Sequence, residues 1–306
     1  MPARLSSEQR AVLRWGRGRR GDLPWRATRD PWAVLVSEVM LQQTQVARVV
    51  PRYHSFLGAY PDTSACADAS LAEVLARWQG LGYPRRARNL WLTARTCVER
   101  HDGEVPDDLG ALLALPGVGR YTARAVLAFA YERPVGVADT NIARVLARRA
   151  AVAMRPAVLQ ATADELVPVG RAWEWNQALM DVGALLCRPR APRCEECPVA
   201  PTCGWHRAGR PEPDPGVGSA GVSRPQSRYE GSDRQARGRL LAALATARIA
   251  CREAPEVAGL AGEPGRAATV VESLIADGLV AEIGEFLVLG GQRNRSQSSR
   301  TAAGGS

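Results

Sequence analysis

The chain has 306 residues, of which 46% are hydrophobic and 23% charged, enough for one large or two ordinary domains and too balanced for a disordered, collagenous or coiled-coil protein. Its net charge is +9, all 40 basic residues are arginine, and +7 of that charge falls on residues 1–203; the arginine bias fits either a GC-rich genome or a polyanionic partner, and the first two thirds carry the field. No apolar run approaches membrane-spanning length, and the opening MPARLSSEQR lacks a signal-peptide core; a cytoplasmic protein that uses no membrane is expected.

Helical periodicity dominates as far as residue 203. Apolar positions recur at three and four in Val34, Leu35 and Leu41, in Leu71, Val74, Leu75 and Trp78, and in Ala123, Val126, Leu127 and Ala130. Gly80-Leu81-Gly82, Pro116-Gly117 and Asp139-Thr140-Asn141 punctuate these runs. The reading is all-α. Glu38 stands inside the first run on the face of Val34 and Leu41, which predicts a desolvated carboxyl with a pKa raised into the range of a general acid.

Leu115-Pro116-Gly117-Val118-Gly119-Arg120-Tyr121-Thr122-Ala123 lies between two helical patterns. Two glycines two apart let the backbone turn and aim amides outward at a helix start, which predicts phosphate contact through Gly117, Val118 and Gly119 without sequence readout. Asp139 heads the next helical run as an N-cap.

Cys187, Cys194, Cys197 and Cys203 fall within 17 residues as C-x6-C-x2-C-x5-C. In a cytoplasmic chain this is a metal site, tetrahedral zinc or an iron–sulfur cluster, and not a disulfide framework. Arg188, Arg190 and Arg193 punctuate the first cysteine loop; beside a DNA-binding motif they would meet phosphates. Cys66, Cys97 and Cys251 are isolated and read as small packed side chains.

Between Gly204 and Ser232, 14 of 29 residues are Gly, Pro or Ser, a linker composition. Helical runs from Asp233 and after Arg266 follow, then two strands around Gly284-Glu285. They suggest a small winged-helix-like module over 233–290, either a DNA reader or a packed appendage. The tail 291–306 reads as disordered.

Taken together, these residues resemble the MutY-type adenine DNA glycosylases, within the helix-hairpin-helix, iron–sulfur branch that also holds endonuclease III. The resemblance covers about residues 8–207. It is carried by Leu23-Pro24-Trp25-Arg26, the run Ser37 to Val46 with Gln42-Gln43-Thr44, Gly80-Leu81-Gly82-Tyr83, Arg88-Asn89-Leu90, the hairpin and the cysteine loop. It implies a domain over 1–207, with a helical barrel at 25–132 and an iron–sulfur subdomain from 1–24 and 133–207, then a linker at 208–232. The implied cofactor is a 4Fe-4S cluster on the four cysteines. The implied partner is double-stranded DNA with an adenine mismatch, bound by a monomer.

The implied activity is hydrolysis of the N-glycosidic bond of adenine mispaired with 8-oxoguanine or guanine, after base flipping. Glu38 would be the general acid and Asp139 the ionised stabiliser of an oxocarbenium-like sugar, the division of labour between two carboxyl groups seen in glycoside hydrolases. Tyr121 and Asn141 would support that centre. Trp25, Arg26, Leu41 and Gln177 would line the adenine pocket, and Gln43, Thr44 and Tyr83 would serve as wedge and opposite-base contacts.

Endonuclease III relatives carry a lysine at the position of Tyr121, and a chain without lysine cannot form that Schiff base, so a monofunctional enzyme is expected. Rival readings are a thymine or uracil mismatch glycosylase and a catalytically silent iron–sulfur DNA-damage-binding protein. The sequence departs from the family at Pro84 and Thr140. The family's C-terminal hydrolase-like domain is also not recognisable, so weaker discrimination between 8-oxoguanine and guanine is expected.

Overall fold

The computed structural model describes residues 5–18, 23–219 and 228–290. The tail 291–306 and residues 220–227 of the expected linker lie outside the described residues. In chain order the helices are α1 (Ser7–Arg17), α2 (Pro31–Leu41), α3 (Val46–Ala59), α4 (Thr63–Asp68), α5 (Leu71–Arg77), α6 (Arg85–Arg100), α7 (Leu109–Ala114), α8 (Arg120–Phe129), α9 (Thr140–Ala150), α10 (Pro156–Glu165), α11 (Ala172–Asp181) and α12 (Gly204–Arg207). The C-terminal module follows as α13 (Asp233–Leu244), β1 (Ile249–Ala250), α14 (Ala254–Ala258), α15 (Pro264–Ala276), β2 (Val280–Ile283) and β3 (Phe286–Leu289). None of the described helices is long and apolar enough to cross a membrane.

The chain divides into two compact units, each discontinuous in sequence. The first takes residues up to Gln42 and then Glu104–Gln226; the second takes Gln43–Gly103 and the segment from Ser227 onward.

In the first unit, helix starts follow side-chain caps. Ser6 and Gln9 close a capping box on α1, Asp30 caps α2 with Pro31 in its first turn, and Asp108 and Asp139 cap α7 and α9. Helix α2 is buried all round from Trp32 to Met40 and packs on α8, as expected of a helix whose apolar residues do not keep to one stripe. A second core joins Val12 and Leu13 of α1 to Ile142, Val145 and Leu146 of α9 and to Trp175 and Leu179 of α11, with Cys187, Cys197 and Cys203 at its edge. Gly183 lies against α9 so closely that a Cβ there would sit 2.6 Å from that of Asn141.

Part of the stretch whose composition predicts a linker belongs to this unit. Asp214, 9% exposed, takes the fork of Arg148, which is 2% exposed, at 3.0 Å and 2.5 Å, and Ser219 Oγ accepts from the Met154 amide at 3.1 Å. A buried guanidinium needs a carboxylate, and that requirement orders a segment that apolar burial alone would leave loose.

In the second unit, Ser70 and Glu73 form a capping box on α5, and Phe56 stacks edge-on against Tyr60 and Trp78. Helices α4 and α5 pack on α6. The module's sheet has the order β1-β3-β2, all antiparallel, with Ile249 opposite Leu287 and Ile283 opposite Phe286 across the Gly284-Glu285 turn. Helices α13 and α15 cover it through Leu240, Leu244, Val270 and Leu274. The expected winged topology is present, with two short elements, β1 and α14, added to it.

Candidate active site

Glu38 is 6% exposed on α2, and its carboxyl shares a hydrogen bond with the side chain of Tyr121, in the first turn of α8. Burial pushes Glu38 from 4.5 to about 7; the phenol opposes this and the charge of Asp139 adds to it. Burial, with the charges of Glu38 and Asp139, drives the phenol pKa well above its usual value, so Tyr121 stays a donor to the carboxylate.

Asp139 caps α9. Its Oδ1 accepts from the Ile142 amide at 2.7 Å and its Oδ2 from Asn141 Nδ2 at 2.9 Å. Burial raises its pKa, while those donors and the charge of Arg144 resist the rise. Two neighbouring carboxyl groups thus have unlike surroundings: Asp139 has donors on both oxygens, whereas the one side-chain donor lowering the pKa of Glu38 is the phenol.

Arg144 was not singled out by sequence, yet it organises this centre. It donates to Asn141 Oδ1 at 3.0 Å, to the Gly183 carbonyl at 2.6 Å and to the Cys187 carbonyl at 2.5 Å. Asn176, also missed, holds the approach to Asp139: its Oδ1 accepts from the Val137 amide at 2.9 Å and its Nδ2 donates to the Val135 carbonyl at 3.0 Å. The available signal was a polar pair, Asn176-Gln177, set between the apolar residues Trp175 and Ala178 of α11.

Of the expected pocket residues, Trp25 is buried in a 3-10 turn, Leu41 ends α2 half-buried, and Gln177 is buried on α11. Arg26 is bound by its fork to Asp181 at 2.8 Å and 3.0 Å, and its Nε is buried without a hydrogen-bond partner. Gln43, Thr44 and Tyr83 belong to the second unit. There Thr44 Oγ1 donates to the Leu81 carbonyl at 3.2 Å, and both Gln43 and Tyr83 have positive φ, +56° and +49°.

The hairpin is α7, a turn, and α8. Gly117 takes φ +76°, open to glycine and strained for other residues; Val118 is buried, and Gly119 caps α8. Gly117, Gly119 and Arg120 are exposed.

Cys187, Cys194, Cys197 and Cys203 line one cavity with Arg148, Leu186, Ala200, Trp205 and His206. Arg148 Nη1 donates to Cys187 Sγ at 3.4 Å, and its guanidinium stacks on the Trp205 ring. His206 Nδ1 is buried without a hydrogen-bond partner. Among the described residues no three metal-binding side chains gather tightly enough for a single ion. Four thiols around one cavity, with an arginine donor to one of them, are a donor set that fits a metal group. Arg188 and Arg190 are exposed, and Arg193 pairs with Glu196. Cys66 and Cys97 are buried and Cys251 half-buried, as expected.

Residues 36–169 match the HhH-GPD superfamily of base excision DNA repair proteins. The adenine DNA glycosylase of Mycobacterium tuberculosis strain H37Rv is 43% identical over 276 residues, 88% of each chain, and that of Mycolicibacterium smegmatis 41% identical over 286 residues, 91% of this chain and 95% of the other. Overlaps of that length cannot fit within residues 1–203, so they reach the C-terminal module. The human adenine DNA glycosylase is 41% identical over 216 residues, 66% of this chain and 40% of its own. Among solved structures, a thermostable thymine-DNA glycosylase superposes with a TM-score of 0.61 at 30% identity, covering 65% of this chain and 95% of its own. Endonuclease III in a non-covalent DNA complex gives 0.56 at 25% identity, covering 67% and 99%. The chain therefore belongs to the HhH-GPD superfamily of base excision repair proteins and, within it, to the adenine DNA glycosylases.

Proposed function

We propose that this protein removes adenine mispaired with 8-oxoguanine or guanine and leaves the strand intact. The observation that carries the reading is the Glu38–Tyr121–Asp139 centre, where one carboxyl titrates at about 7 and its neighbour is held by an amide, an asparagine and a nearby arginine. Near neutral pH Glu38 keeps a proton to give, while the donors on both Asp139 oxygens and the charge of Arg144 favour the ionised form of that carboxyl against its burial.

The flipped adenine would accept the Glu38 proton on a ring nitrogen as its bond to C1′ breaks. Asp139 would stabilise the positive sugar, and water would add to C1′, its proton returning to the ionised Glu38. Tyr121 positions the acid, and Asn141 positions Asp139. Trp25, Arg26, Leu41 and Gln177 are the residues assigned to the adenine, Gln43, Thr44 and Tyr83 those assigned to the wedge and the opposite base. The turn Gly117-Val118-Gly119, with both glycines exposed, would bind a phosphate. With no lysine in the chain, strand cleavage through a lysine Schiff base is closed.

Cys187, Cys194, Cys197 and Cys203 would hold a 4Fe-4S cluster, which when bound ties the cysteine loop into one rigid piece. The purified protein should be brown, absorbing broadly near about 400 nm; a colourless protein with stoichiometric zinc would overturn this assignment.

The likeness to a thymine-DNA glycosylase structure makes thymine opposite guanine the second substrate to test. Single-turnover excision should be measured on adenine opposite 8-oxoguanine, guanine or cytosine and on thymine opposite guanine, with and without alkali. Adenine loss seen only after alkali is expected; thymine release without adenine release would overturn the reading, as would binding without release.

A further inference from the structure

The turn Gly80–Tyr83 is held on two sides by arginine. Tyr83 sits at φ +49°, a region that side-chain-bearing residues seldom occupy, so contacts beyond its own backbone preference must fix it. On one side, Arg86 Nη2 donates to the Leu81 carbonyl at 2.9 Å, the Gly82 carbonyl at 3.0 Å and Thr44 Oγ1 at 3.0 Å. Its guanidinium stands 5.4 Å from the Tyr83 ring centre and 5.5 Å from that of Trp78. On the other side, Arg234 in the first turn of α13 donates from Nη1 to the Tyr83 hydroxyl at 3.2 Å.

Arg234 does not reach this turn alone. The module meets the same stretch through Gln79 Nε2, which donates to the Leu241 carbonyl at 3.3 Å, and through Arg85, paired with Asp277 at 3.4 Å. Asp277 is itself fixed by Arg237 at 2.5 Å. The module is poorly made for phosphate. Residues 228–290 hold seven arginines against nine acids, and Glu282 and Glu285 are exposed around the turn of its wing. A winged DNA reader needs the opposite charge there, so the topology serves a different purpose.

We propose that the C-terminal module is a clamp on the Tyr83 turn. Arg234 is its positioning residue, and by fixing the Tyr83 hydroxyl it sets how strictly the enzyme discriminates among bases opposite the adenine. This rests on the adenine glycosylase reading above. A phenol held at ring and hydroxyl enters DNA in one orientation; one held at the ring alone can turn, and a mispair that binds weakly suffers most.

The test uses the full chain with Arg234→Ala, Tyr83→Phe and the double variant, measured by single-turnover excision opposite 8-oxoguanine, guanine and cytosine and by thermal unfolding. Each single variant should lose about tenfold in rate opposite guanine, and less opposite 8-oxoguanine, at an unchanged unfolding temperature. The double variant should be no slower than either single one, because both remove the same bond. Unchanged rate ratios, additive losses, or a uniform fall accompanied by a lower unfolding temperature would each overturn the proposal. Should Arg234→Ala fail to fold, Tyr83→Phe, which deletes one oxygen, decides alone. A wild-type protein that releases no adenine refutes the underlying reading; one that releases it with unaltered ratios in the variants refutes only the clamp.

Discussion

The Tyr121 phenol donates to the Glu38 carboxylate and so opposes the burial that raises its pKa. An acid that must be protonated to work loses activity as pH rises through its pKa, so single-turnover excision should decline through about pH 7. Tyr121→Phe removes the donor, raises Glu38 further and moves that decline to higher pH. A decline moving to lower pH would mean that the phenol favours the neutral acid.

Glu38 also carries a stability signature. Its folded pKa of about 7 lies above its ordinary 4.5, so the unfolded chain releases this proton first. The folded state is therefore progressively disfavoured from about pH 4.5 up to pH 7, and by a constant amount above that. Glu38→Gln should abolish excision and stabilise the fold by roughly 3 kcal/mol at pH 8, with much of that gain gone at pH 5. Denaturant unfolding at the two pH values measures the difference, and an equal gain at both would contradict it.

Arg144 lowers the pKa of Asp139 and bonds Asn141. In Arg144→Ala, Asp139 should titrate higher, so the acid side of the pH–rate profile moves to higher pH while the side set by Glu38 stays. Leaving the Gly183 and Cys187 carbonyls without their donor should cost about 2 kcal/mol of stability. Both are read from one series of pH-dependent rates and melts.

Asp214→Ala strands the buried Arg148 guanidinium, which touches Cys187 Sγ. About 3 kcal/mol of stability should be lost, and the visible absorption of the proposed cluster should bleach faster in air. Unchanged melting and bleaching would show that residues 210–219 are dispensable to the first unit.

The fold was legible where local rules act. Asp139 stands where a helix begins, and the apolar run around Glu38 announced a buried acid. Legibility failed where a residue's partner is remote in sequence. Arg144 meets Cys187, Arg26 meets Asp181, and Arg148 meets Asp214. One clue was available: Arg144 and Arg148 lie four apart on a helix whose other buried residues, Ile142, Ala143, Val145, Leu146 and Ala147, are all apolar, and arginines on such a face require partners. The composition of 204–232 pointed to a linker because it counts apolar area and cannot see that Asp214 answers a buried charge.

Because each unit is assembled from separated segments of chain, the order of synthesis matters. Residues 43–103 leave the ribosome early, yet the segment that completes their unit emerges only after all of 104–226. Until then Gln79 and Arg85 lack Leu241 and Asp277 as partners, and the Tyr83 hydroxyl lacks Arg234. Long-range closure of this kind folds slowly and late. The Tyr83 turn is thus completed only once residues 228–290 have been made, and a chain stalled before them would carry Glu38 and Asp139 without it.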